Sequence, residues 1–311
     1  MNIITTDELN YRIKNDAEEF VKSSEKVYAD HIFEIAETLR ENLKEKPIVL
    51  LSGPSGSGKT TSALRIEALL EKWGYNTHTL SMDSYFLPVV NTPDAIGEDG
   101  RIDYESPLRM DIPLLNDHLE KLANGEEIDV PKFNFVEQRR EKGHLLKRNK
   151  NEIVVIEGIH ALNPEITGQS YDFATGIYVS VRTRIQRSNG ELLHPSKIRV
   201  MRRMIRDIVQ RGRRPEDTLD MYQGVERGEN LYIMPHKHRA HFDIDTFFDY
   251  EVPLYKDRVI PAMERLKEFY PDYEKFSDIL GFLYEMETLS AEYVPTNALI
   301  REFVGGSDFE Y

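Results

Sequence analysis

The chain has 311 residues, enough for one full α/β core with additions at its ends, and no cysteine, which excludes disulfides, thiolate catalysis and cysteine-ligated zinc. Its formal net charge of −14 repels polyanions over most of the surface and excludes general adhesion to nucleic acid or anionic lipid, so any phosphate must be bound locally. The first eight residues carry no leader pattern and no apolar stretch approaches the roughly 20 residues of a membrane helix, so a cytoplasmic protein is expected.

In chain order, residues 1–46 are predicted as a helical N-terminal extension, because Ala17, Phe20, Val21, Val27, Tyr28, Ile32, Ile35, Ala36 and Leu39 recur at helical spacing. Pro47 marks the start of a principal domain over 47–252, whose first strand is 48–51. A phosphate loop and a helix follow, with Trp73 expected to pack at the helix end. Further strands are predicted over 77–82, 153–156, 177–180 and 246–250. Near-continuous apolar runs alternating with helices indicate an α/β fold, a parallel sheet covered by helices on both faces. The stretch 88–100 reads as loop, 113–124 as helix, and 131–135 as a short strand or hairpin arm. An arginine-rich helical lid is placed at about 196–216. His236, His238 and His241 read as a surface loop, not a metal cluster. Residues 253–311 are predicted as a helical C-terminal extension, with helices over 258–269 and 273–287.

The chemistry concentrates at strand ends. Gly53, Pro54, Ser55, Gly56, Ser57, Gly58, Lys59 and Thr60 fit G-x-x-x-x-G-K-[ST] between a strand and a helix. Glycines let backbone N–H groups converge on a phosphate, the lysine supplies mobile charge, and the hydroxyl suits Mg²⁺, so a nucleoside triphosphate is the expected ligand. Asp83 follows the second strand and Glu157 the third, where α/β sheets collect ligands; either carboxylate could orient Mg²⁺ or accept a proton from an attacking hydroxyl. Arg199, Arg202, Arg203 and Arg206 share one helix face, with Arg211 and Arg213 beyond it. Such an arginine face suits a cover over polyphosphate, since phosphoryl transfer depends on positioning and charge stabilisation.

Taken together, the loop, Asp83-Ser84-Tyr85-Phe86, Glu157-Gly158-Ile159-His160 and the run from Arg202 to Arg213 resemble the uridine kinase family of P-loop kinases, in order as well as type, over about residues 47 to 250. The resemblance implies ATP as donor, with the loop, Thr61, Arg203 and Arg213 binding it and Thr60 and Glu157 holding Mg²⁺. It implies Asp83 as the base for a ribose 5′-hydroxyl, with Lys59, Arg206 and Arg211 gathering the γ-phosphate. Phe86, Tyr104, Glu105, Phe133, Phe135, Gln138 and Arg206, with Asp83, would line the acceptor site. Within it, Glu105 stands for the family's Asp, Phe133 for a Tyr, Asn134 for an Asp, Gln138 for a base-reading His and Met221 for a Gln. The tail over 294–306 resembles that of a bacterial uridine-kinase-like subgroup in which an extra domain often precedes the kinase; a helical extension is expected in its place. The expected acceptor is a nucleoside, uridine or cytidine, with no nucleic-acid or membrane partner and room for a homo-oligomer. The alternatives are another small alcohol, as in phosphoribulokinases and pantothenate kinases, or a nucleotide-responsive regulatory protein without turnover.

Overall fold

Strand-forming apolar runs assemble into one five-stranded sheet in the order β10-β7-β2-β6-β3, with every pairing parallel. Its strands are β2 (Ile48–Ser52), β3 (Asn76–Ser81), β6 (Glu152–Glu157), β7 (Ala174–Ser180) and β10 (Phe242–Asp245). The computed structural model describes residues 2–97, 100 and 102–310; Met1, Arg101 and Tyr311, and Glu98 and Asp99 of the expected 88–100 loop, lie outside it.

Side chains alternate across the sheet, so each strand feeds two cores. Ile48 and Leu50 of β2, with Val154 and Ile156 of β6, face a cluster shared with α3 (Ile112–Asn124) and the antiparallel hairpin of β4 (Glu127–Asn134) and β5 (Arg139–Lys147). Val49 and Leu51, with Ile153 and Val155, face the larger cluster. That cluster is built with α1 (Thr6–Asn42), α2 (Lys59–Lys72), α5 (Pro195–Arg211), α7 (Glu251–Phe269) and α8 (Asp278–Glu285). Short elements complete the chain: β1 (Ile3–Thr5) pairs with β8 (Arg184–Gln186), which pairs with β9 (Leu192–Leu193), and α4 (Pro164–Thr167), α6 (Pro215–Gly228) and α9 (Arg301–Val304) lie between or beyond.

The helical pattern of the first 46 residues produces α1, capped by the Thr5 hydroxyl accepting from Glu8 N at 3.1 Å and interrupted at Asp16 (φ −162, ψ 89). Phe20, Val21, Tyr28, Ile32, Ile35, Ala36 and Leu39 are buried by it, whereas Val27, assigned to the same stripe, is 73% exposed. Trp73 packs edge-on against Phe33 of α1 at 5.3 Å. The fifth strand differs from expectation: the ladder runs over Phe242–Asp245, and residues 246–250 instead turn into α7. Thr246 Oγ1 donates to Ser57 O at 2.6 Å, so this aromatic run serves the phosphate loop and not the sheet. Helix α7 begins at Glu251, with Pro253 in its first turn, where a missing N–H costs nothing. Two of the three histidines have separate partners: His238 Nδ1 pairs with Pro235 O at 2.8 Å, and His241 accepts from Gly176 N at 2.9 Å while stacking on Tyr171. Among the described residues, no helix is long and apolar enough to cross a membrane.

Candidate functional site

Strand β2 lies between β6 and β7, and the chain crosses over β6 to β3 before returning to β7 on the other side. The loop after β2 therefore opens at the point where strand order reverses, the crevice that α/β sheets use for ligands. Residue 53 must be glycine, because a Cβ there would strike the Val179 carbonyl of the neighbouring strand. Gly58 ends the loop at φ +83 and caps α2, whose first residues are Lys59 and Thr60. Lys59 Nζ lies back across the loop, donating to Pro54 O at 3.3 Å. Oriented N–H groups, a helix N-terminus and a mobile ammonium thus meet at one place.

The carboxyl ends of β3 and β6 bring the two carboxylates beside it. Asp83 sits in a 3-10 turn (Met82–Tyr85) anchored by its own N–H to Ser81 Oγ at 3.3 Å, and Glu157 is the last residue of β6. A cleft of about 440 Å³ is lined by Ser55, Lys59, Thr60, Asp83, Glu157, Arg203, Arg206 and Arg211, with Phe86, Tyr104, Glu105 and Phe135 on its opposite side. Asp83 is exposed to solvent where it lines the cleft, yet the surrounding mass and then the nearby Glu157 push its pKa up to about 6, with Lys59 opposing. Burial likewise raises Glu105 to about 7 against the pull of Arg203 and Lys59. His160, deep behind the cleft, is pushed down to about 4 by burial and is neutral at pH 7. The site thus holds carboxyls that take and release protons near neutrality opposite a cluster of fixed cations.

The four arginines placed on one face of α5 are divided by the structure. Arg203 and Arg206 reach the cleft, and Arg203 Nη1 donates to Ser55 Oγ. Arg199 and Arg202 do not: Arg199 Nη2 pairs with Glu229 at 2.5 Å, and Arg202 is fully buried against Glu251 while Nη1 donates to Gly56 O at 3.1 Å. The helix lies too deep for a single exposed face, and buried guanidinium groups require carboxylate and carbonyl partners. Burial, reinforced by Arg211 and Arg203, lowers the Arg206 pKa to about 10, so it keeps its charge at neutral pH. Arg213 lies outside this cleft, its guanidinium 3.9 Å from Asp207 and near Met221.

Two acceptor-side expectations are placed behind the cleft wall. Phe133 is buried and packs on Phe86 and Phe135 at 6.1 and 5.1 Å, giving shape to the wall without lining it. Gln138 occupies a left-handed turn (φ 51), and its side chain accepts from Arg109 Nη2 at 3.1 Å and donates to Phe135 O at 2.8 Å. Thr61 forms the buried first turn of α2, where its hydroxyl donates to Glu302 Oε2 at 2.6 Å.

Two residues escaped the sequence reading. Arg109 lines the cleft with its guanidinium 5.4 Å from the Phe86 centroid and 5.2 Å from that of Tyr104; no carboxylate among the described residues pairs with it. It follows no strand, so no spacing rule exposes it. Asp207, fully buried, accepts from Arg211 Nη1 and Thr218 Oγ1, each at 3.1 Å, and so fixes the turn carrying Arg211 and Arg213. An acidic residue amid arginines was its signal.

A family model described as Phosphoribulokinase / Uridine kinase family matches residues 48–253. A protein named uridine kinase from Anoxybacillus flavithermus is 30% identical over 201 residues, 64% of this chain and 85% of that one. Another of that name, from Halobacterium salinarum, is 27% identical over 191 residues, 61% of this chain and 76% of its own. The solved structure of a candidate fructose transport system kinase from Silicibacter sp. TM1040 covers 70% of this chain and 98% of its own, at 17% identity and a TM-score of 0.54; at that identity it carries the fold alone.

Proposed function

This chain belongs to the phosphoribulokinase and uridine kinase family and is an ATP-dependent phosphotransferase acting on a small alcohol; from that premise we propose that the acceptor is a nucleoside, uridine or cytidine, phosphorylated at its 5′-hydroxyl. The observation that carries the reading is the single cleft in which Asp83 faces Lys59, Arg206 and Arg211 beside the aromatic wall of Phe86, Tyr104 and Phe135. Asp83 takes the proton as the acceptor oxygen attacks the γ-phosphorus. The bond to the β,γ-bridging oxygen breaks, and ADP leaves with the electron pair. Lys59, Arg203, Arg206 and Arg211 hold the triphosphate and balance charge on its terminal oxygens. Glu105, which lines the cleft, would accept hydrogen bonds from ribose hydroxyls, and the aromatic wall would hold the base.

Thr60 and Glu157 are the residues that would hold Mg²⁺. Two oxygen ligands beside a phosphate loop fit a metal that keeps waters and phosphate oxygens as its other ligands, and Mg²⁺ bound there would withdraw charge from the β- and γ-oxygens.

Arg109 favours a second reading. Its buried guanidinium donates to Leu87 O and Gln138 Oε1, has no carboxylate partner among the described residues, and on the acceptor side suits a small alcohol bearing a carboxylate or phosphate. Transfer of γ-labelled phosphate from Mg·ATP to a panel of nucleosides, sugar phosphates and hydroxy acids separates the two. A nucleoside 5′-monophosphate supports the leading reading, and labelling confined to anionic acceptors replaces it with the second. Label on no acceptor overturns both.

A further inference from the structure

The C-terminal tail packs behind two elements of the cleft, α2 and α5. Leu299, fully buried, packs so closely on Gly58 that a Cβ there would approach Leu299 Cδ1 to 2.7 Å. Glu302, only 8% exposed, accepts the Thr61 hydroxyl at 2.6 Å, while its main-chain oxygen accepts from Gln210 Nε2 at 2.7 Å. Thr61 directly follows Lys59 and Thr60, and Gln210 directly precedes Arg211 on the helix that carries Arg206. One residue of the tail thus grips the first turn of α2 and the last turn of α5, two elements that present cations to the cleft.

We propose that Glu302 is a positioning residue for phosphoryl transfer, fixing the separation between the Lys59 end of α2 and the Arg206–Arg211 end of α5. Its carboxylate also lies close enough to Arg206 and Arg202 to offset part of their charge. Transfer to phosphate demands that cations converge on one point, and small misplacements of such groups cost large factors in rate. The tail is therefore part of the catalytic frame, although none of its described residues lines the cleft. The idea rests on the assignment of Lys59, Arg206 and Arg211 to the triphosphate.

Kinetics of the full chain on its best acceptor test this, with Glu302→Ala, Glu302→Gln and Gln210→Ala compared. Glu302→Ala is expected to lower kcat by about tenfold with the acceptor KM within about twofold. Glu302→Gln, which still accepts from Thr61, is expected to recover most of the loss. A Glu302→Ala protein that is folded at the assay temperature and keeps kcat within about threefold of the parent overturns the proposal. Should that variant not fold, the decision passes to exposed Gln210→Ala: a fall in kcat of about threefold with unchanged acceptor KM supports the proposal, and unchanged kcat sinks it. An inactive parent chain would instead refute the kinase reading, so the two failures are distinguishable.

Discussion

Arg202 and Glu251 form an ion pair with neither side chain exposed, Nε and Nη2 donating to the two carboxylate oxygens at 2.8 and 2.9 Å. The same guanidinium donates to Gly56 O and Thr246 O, so it ties α5 and α7 to the phosphate loop. Removing one member leaves the other charge buried and unpaired, so Glu251→Ala is expected to cost about 3–5 kcal/mol in urea unfolding. Many buried pairs tolerate joint replacement by apolar residues. Here the double change Arg202→Met, Glu251→Leu also strands two carbonyls, the Phe248 N–H and the Tyr255 hydroxyl, and should remain destabilised by about 1–3 kcal/mol. A double variant as stable as the parent would show that these further bonds contribute nothing.

Glu152, at the start of β6, offers a test far from the cleft. Burial alone would raise its pKa, but hydrogen bonds from Asn149, His78 and Asn76 outweigh burial and bring it down to about 2. A folded-state pKa below the unfolded value means stability present above about pH 4.5 and lost as pH falls towards 2. Glu152→Gln should flatten that part of the stability curve and lower stability at pH 7 by about 1–3 kcal/mol. Equal slopes for parent and variant between pH 5 and about 2 would count against the assignment.

What the sequence made legible follows from how local each signal is. The phosphate loop, Asp83 and Glu157 could be placed because a strand end fixes its next residue to within a few ångströms, and the sheet repeats that placement. The strand at 246–250 was misassigned because an apolar, aromatic run looks alike whether it enters a sheet or a buried turn. Arg199 and Arg202 share helical spacing with Arg203 and Arg206, and spacing does not say how deep a helix is buried; Glu229 and Glu251, distant in sequence, decide that. Phe133 and Gln138 were placed by their position in the resembling segment, but Phe133 packs behind the wall and the hairpin turn directs the Gln138 amide to Arg109. Arg109 itself carries no periodic signal at all.

Arg206 separates activity from stability. Burial and the like charges of Arg211 and Arg203 disfavour its cation in the folded chain and bring its pKa down to about 10. Replacing it should therefore leave the apo fold as stable or more so while removing a donor for developing phosphate charge. Arg206→Ala is expected to lower kcat by about 10²–10³ without lowering the thermal midpoint, and Arg206→Lys should recover only part because it lacks the planar fork. A midpoint several degrees below the parent would mean that Arg206 is chiefly structural.

Asp83 makes the sharpest claim on pH. Its folded pKa of about 6 lies above the ordinary 3.8, so the folded chain holds this proton more tightly than the unfolded one. Any stability that it contributes is present at low pH and declines as pH rises through that interval. As a base it must be ionised, so kcat/KM should fall on the acid side with a midpoint near 6, and Asp83→Asn should reduce kcat by about 10²–10⁴. Carboxyl ¹³C shifts of the nucleotide-free chain should show the Asp83 resonance titrating near pH 6. In Glu157→Gln that midpoint should move down, because the second-largest cause of the shift, a neighbouring like charge, is gone. A midpoint near 4 in the parent would remove desolvation and the Glu157 charge as determinants of this site, and with them the reason to expect an acid limb near neutrality.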